Sequence, residues 1–125
     1  MKVRPKQPPR EFEVGFENKN MIIDCGTIKL EEGEQVSFTT EQGGEWDVVR
    51  KKWGFYATPS INGRLCKFNI RTALVKNRID RFFILLIEKG HEIEFEEYMR
   101  LEKMTIVAWL DDPKDLNMIN KEIEL

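Results

Sequence analysis

Histidine is almost missing from these 125 residues: His91 stands alone, beside only two cysteines, Cys25 and Cys66. No Cys-x-x-Cys pair occurs, which excludes zinc ribbons and fingers as well as multi-histidine metal centres. The two thiols sit far apart in the chain and read as unpaired side chains of a reducing compartment. They also leave little material for a Cys–His nucleophilic pair. The longest apolar run, Phe82–Ile87, is far shorter than the roughly 20 residues that cross a bilayer. Met1–Lys6 lacks the apolar stretch of a secretion signal, so the cytoplasm is the expected location. A Gly-rich phosphate loop, an RNP-type aromatic strand, a Gly-x-x-Gly turn, an internal repeat and a low-complexity tract are all absent. No metal and no cofactor is expected.

With 41% hydrophobic and 34% charged residues, the chain can build one core and is not disordered in bulk. A net charge of −2 hides a block pattern: +4 over residues 1–10, −8 over 11–49, +8 over 50–81 and −6 over 82–125. Such segregation implies local fields that the near-neutral total conceals.

Residues 1–10, with Pro5, Pro8 and Pro9, predict a flexible basic arm with no packed element before Glu11. From Glu11 the pattern has period two: Phe12, Val14 and Phe16 alternate with Glu11, Glu13 and Glu17, as in a half-buried strand. A turn at Asn18-Lys19-Asn20 leads to strands at Met21–Ile23 and Thr27–Leu30, then at Val36–Phe38 and Trp46–Val48 after Gly-containing turns. Phe68–Val75 alternates again, Lys76-Asn77-Arg78 turns, and Phe82–Ile87 reads as a central strand covered on both faces. Phe95, Tyr98 and Met99 recur at helical spacing within Glu92–Lys103, and Met104–Leu110 is a further strand. Asp112-Pro113 marks the start of a short terminal helix striped by Leu116, Ile119 and Ile123. The resulting fold class is α+β. An antiparallel meander or partly closed sheet leads into a β-β-α-β unit over 11–111, with one covering helix and a helical tail over 112–125.

Trp53–Leu65 is the densest mixture of aromatics, glycine and proline, with cations on both sides. Thr58-Pro59 favours extended backbone and Asn62-Gly63 a turn, so the segment is expected to leave the sheet and return as a strand. A ligand loop would use Trp53, Phe55 and Tyr56 as stacking platforms and Ser60 and Asn62 as polar readers. Arg64, Lys67 and Arg71 would hold an anion. The plainer alternative is a hairpin whose rings are core and whose cations pair with the acidic strands.

Asp24, Glu45, Asp47, Asp111 and Asp112 lie near strand ends, where carboxylates can act as acid and base. His91 follows Gly90 at the expected start of a helix, where a capping role competes with catalysis. Gly26–Thr40, with the rhythm Leu30-x-x-Gly33-Glu34-x-Val36, resembles the first strands of small double-stranded β-helix (cupin) domains. The His-x-His metal ligands of those domains have no counterpart here, and no family is identified from the likeness.

Three functions follow as expectations. The first is a non-catalytic module binding an anionic ligand, namely a nucleotide, a phosphorylated sugar or single-stranded nucleic acid. The second is a small isomerase or hydrolase acting on a sugar nucleotide through Asp47, Tyr56 and His91. The third is a protein-interaction subunit, as a homodimer or with a partner protein, in which the aromatic segment is interface. No membrane partner is expected.

Overall fold

The computed structural model describes residues 1–16 and 19–123. Glu17 and Asn18, and with Asn18 the turn expected at Asn18-Lys19-Asn20, lie outside the described residues. The architecture is α+β, with three antiparallel sheets and three helices among the described residues. Strands β1 (Lys2–Val14) and β2 (Asn20–Lys29) form a two-stranded ribbon. Strands β3 (Gln35–Thr39), β4 (Glu45–Lys51) and β5 (Gly54–Ala57) follow in that order in a second sheet. The third sheet, β7-β6-β8, is built from β6 (Ile70–Lys76), β7 (Phe82–Glu88) and β8 (Thr105–Trp109). Helix α1 (Arg64–Lys67) precedes β6, α2 (Glu92–Leu101) joins β7 to β8, and α3 (Pro113–Ile123) ends the chain. Gly26–Thr40, the segment with the cupin-like rhythm, is divided between two separate sheets.

Residues 1–10 are not a free arm. Lys2–Pro5 pair with Gly26–Lys29, and Arg10–Val14 pair with Asn20–Asp24. The register breaks between Pro5 and Arg10, where Pro8 and Pro9 supply no N–H, so the prolines interrupt the ladder without abolishing it. The Lys6 ammonium donates to Asp24, and the Arg10 guanidinium lies 3.8 Å from the same carboxylate. Gly26 carries the other half of the ribbon. Its φ is +145°, and a Cβ there would lie 2.3 Å from the Arg4 carbonyl oxygen. That glycine lets the strands expected at Met21–Ile23 and Thr27–Leu30 run on as one, which ends at Lys29.

The core lies between the third sheet and α2. Ala73, Val75, Ile87, Phe95 and Met99 are buried together, flanked by Leu85, Met104 and Trp109. Cross-strand register sets Ala73 opposite both Leu85 and Trp109, and α2 adds Phe95 and Met99 one turn apart. Phe95 meets the Trp109 ring edge-on at 5.9 Å.

The central strand is β6, not Phe82–Ile87 as the continuous apolar run implied. Thr72, Ala73 and Val75 are buried, whereas Phe82, Phe83 and Ile84 are each about half exposed on an edge strand. Apolarity over a whole run cannot distinguish a covered strand from an edge that is left open. On the face away from α2, α3 borders Leu74, Val107 and Ala108 around a cavity of about 310 Å³. None of its own described residues is fully buried. Asp112 starts that helix as expected, accepting from the Lys114 N–H at 2.8 Å, and Asp115 accepts from Trp109 N–H.

Polar contacts tie the pieces together. Glu88 accepts from Gly44 N–H at 3.0 Å and from the Thr40 hydroxyl, joining β7 to the second sheet. Glu102, buried just after α2, accepts from Phe16 N–H at 2.7 Å and from the Asn20 amide at 3.2 Å. That carboxylate holds the closed end of the ribbon.

Candidate functional site

The aromatic segment forms a hairpin, then a loop, then a helix. Gly54–Ala57 pairs with Val48–Lys51, which leaves Lys52 and Trp53 at the turn. Trp53 is 72% exposed and Phe55 66% exposed, so these rings are surface and not core. Direct pairing of Phe55 with Arg50 and of Tyr56 with Val49 sends the two rings to opposite faces of the sheet. Phe55 shares its face with Val48, Trp46 and Phe38, the last two in ring contact at 6.1 Å. Tyr56 shares the other face with Asp47.

After Thr58-Pro59 the chain does not return as a strand. The Ser60 carbonyl accepts from the N–H groups of Gly63 and Leu65, and the Ser60 hydroxyl accepts from Arg64 N–H at 3.3 Å. These bonds coil the segment into the single turn α1, whose Leu65 is completely buried. The Arg64 guanidinium donates to the Thr58 hydroxyl and stands 5.7 Å over the Phe68 ring. Ser60 and Arg64 are therefore brought together, with exposed Asn62 between them in sequence and exposed Lys67 one turn on.

Arg71 belongs elsewhere. It donates from Nε and Nη2 to the two oxygens of Asp111, at 2.9 and 3.4 Å, and stacks 3.9 Å over Trp109. Its charge is already matched. Other members of the basic block are occupied as well. Arg50 donates to the carbonyls of Lys51 and Leu30, Lys76 meets Asp80 at 3.5 Å, and Arg78 covers the Phe16 ring at 3.7 Å. Lys51, Lys52 and Lys67 are exposed. The eight residues singled out in the sequence thus divide among the turn, the two faces of the second sheet, the α1 loop and the third sheet.

The carboxylates fare differently. Asp47 is buried at 5% exposure and accepts a short hydrogen bond from the Ser37 hydroxyl of the neighbouring strand. Glu45, two residues away on the same face, is pushed above the ordinary glutamate range by desolvation, then by the charge and hydrogen bond of Asp47, with Arg64 opposing. His91 opens α2 and bonds Gln42 Oε1 at 2.7 Å, with Glu94 and Glu88 oxygens at 3.4 and 3.5 Å. Asp47 and Tyr56 share a face, while the hydrogen bonds of His91 go to other residues. Among the described residues no group of three His, Cys, Asp or Glu side chains is arranged to hold a metal ion. Ser37 and Glu102 are the contributors missed in the sequence, because their partners lie 10 and 82 to 86 residues away.

The dominant surface feature is apolar. Nine described apolar residues are buried, and far more large apolar side chains are open to solvent, including Met21, Ile22 and Ile23 in succession on the ribbon. The accessible surface is 9381 Å². A compact monomer of 14.8 kDa is expected to expose roughly 7,000 Å². Among the described residues no helix is long and apolar enough to cross a membrane. No family model, no curated protein and no solved structure matches the chain.

Proposed function

We propose that this chain is a non-catalytic protein-interaction subunit, one whose fold is completed by association. The carrying observation is the surface excess of roughly 2,400 Å² over a compact monomer. An isolated two-stranded ribbon is marginal in water, and this one leaves consecutive isoleucines uncovered. A partner that covered such surface would supply stabilisation that a core of nine buried apolar residues lacks. Association stabilises by mass action, so the thermal midpoint should rise with protein concentration. A midpoint that is constant from low to high micromolar protein contradicts the reading.

A second reading draws on Trp53, which stands exposed beside Lys51 and Lys52 and could stack on a base or sugar ring of an anionic ligand. Thermal-shift measurements with nucleotides, phosphosugars and short oligonucleotides at low and moderate salt test it. A salt-sensitive stabilisation that Trp53→Ala removes supports it, and no shift with any of them counts against it.

A further inference from the structure

We infer, building on the association reading above, that the open edge of β7 is a homodimer interface. Two copies of this chain pair β7 against β7, antiparallel, and merge their third sheets into one six-stranded sheet. Among the described residues β7 pairs with β6 alone, so one whole side of its backbone has no strand partner.

Open edges in folded proteins normally carry some protection: proline, an inward lysine, a bulge, or very short length. Of the other edges, β1 contains three prolines and a register break, β3 and β5 are only five and four residues long, and β8 is bulged opposite Leu74/Val75. β2, the other edge of the ribbon, has its regular backbone interrupted at Gly26 and carries charges at Asp24 and Lys29. β7 has none of these. Seven residues run without bulge or proline, and the charges stand outside the apolar run, at Arg81 and Glu88. Phe82 and Ile84, at 57% and 55% exposure, point away from the α2 side, and Phe83, at 46%, toward it.

The sequence of β7 is suited to a second copy of itself. A twofold axis through Leu85, its midpoint, sets Ile84 opposite Leu86 on one face and Phe83 opposite Ile87 on the other. Four apolar residues of each strand then meet apolar residues, on both faces, with Leu85 against its own copy and Phe82 opposite Glu88 at the ends. A stable interface needs roughly 800 Å² from each partner, about a third of the surface excess. Because the contact is the same patch on both copies, assembly through it closes at two.

The test combines charge substitution with cross-linking, read by sedimentation velocity on the full chain. Ile84→Lys and Phe83→Lys replace side chains that are about half exposed in the single copy and face Leu86 and Ile87 of the second copy, so the fold should survive, as circular dichroism will report. Each would bury an unpaired ammonium in the dimer and should weaken it roughly a hundredfold or more. In a Cys25→Ser, Cys66→Ser background, Ile84→Cys should be joined by a short bismaleimide, whereas Ile93→Cys on the solvent side of α2 should not. If the unmodified chain is a dimer and both lysine variants dimerise as tightly as it does, the β7 interface is wrong and the association reading stands. Equal cross-linking at both positions, none at Ile84→Cys, or growth into polymers would likewise overturn the interface. An unmodified chain that stays monomeric throughout would remove both.

Discussion

Leu65→Ala probes whether the aromatic loop is anchored as described. Leu65 has no exposed surface and is the only buried residue of α1, the single turn between the loop and the central strand. The substitution deletes three carbon groups. At about 0.8 kcal/mol per buried methylene the transfer loss alone is about 2.4 kcal/mol. The cavity left behind raises this to about 3 to 4 kcal/mol if the surroundings do not collapse. Unfolding entropy for 125 residues is about 0.26 kcal/mol/K, so the thermal midpoint should fall by about 11 to 15 °C. Urea titration followed by tryptophan fluorescence measures the loss, with an unchanged m-value showing that the same cooperative unit unfolds. Ile93→Ala, at an 80% exposed position, is the control and should shift stability by less than about 0.5 kcal/mol. A loss below about 1 kcal/mol for Leu65→Ala would mean that α1 is not seated in the interior, and the account of the loop would fall with it.

Three further expectations concern charge. Glu45 is held above its ordinary range by desolvation and by Asp47, so ionising it costs stability as pH rises from the usual carboxylate range. Glu45→Gln should therefore raise the midpoint at pH 7, and the gain should vanish near pH 4, where Glu45 is protonated anyway. Asp24 is held below its ordinary range, chiefly by the Lys6 hydrogen bond, and Glu34 by the Glu31 N–H and the amino terminus. Their contribution is present at neutral pH and is lost as pH falls below about 4, so hydrogen exchange should show the ribbon loosening before the third sheet. Glu102→Ala removes the acceptor for Phe16 N–H and the Asn20 amide and should cost about 1 to 3 kcal/mol, with exchange protection lost near Phe16. Unchanged protection there would contradict its role in holding the ribbon.

Local pattern carried much of this fold. Period-two alternation marked the strands around Phe12, Val36, Trp46 and Ile70, helical spacing marked Phe95 and Met99, and Asp112-Pro113 marked the last helix. The failures share a cause, which is that pairing partners are not written locally. Three prolines made residues 1–10 read as unpaired, yet the ladder resumes on either side of them. Phe82–Ile87 looked covered because nothing in its own composition reports which neighbours stand beside it. The candidate site was least legible for the same reason. Exposure of Trp53 and Phe55 fits a working surface, but Arg71 is claimed by Asp111, 40 residues away, and Arg64 folds onto its own loop.

The most direct measurement is the absolute molar mass of the intact chain, by light scattering on the eluting peak across a range of micromolar loadings. Association through an open sheet edge predicts a mass of twice 14.8 kDa, falling toward 14.8 kDa only on dilution. A constant 14.8 kDa at every loading, from a chain whose far-ultraviolet spectrum is fully folded, would contradict it.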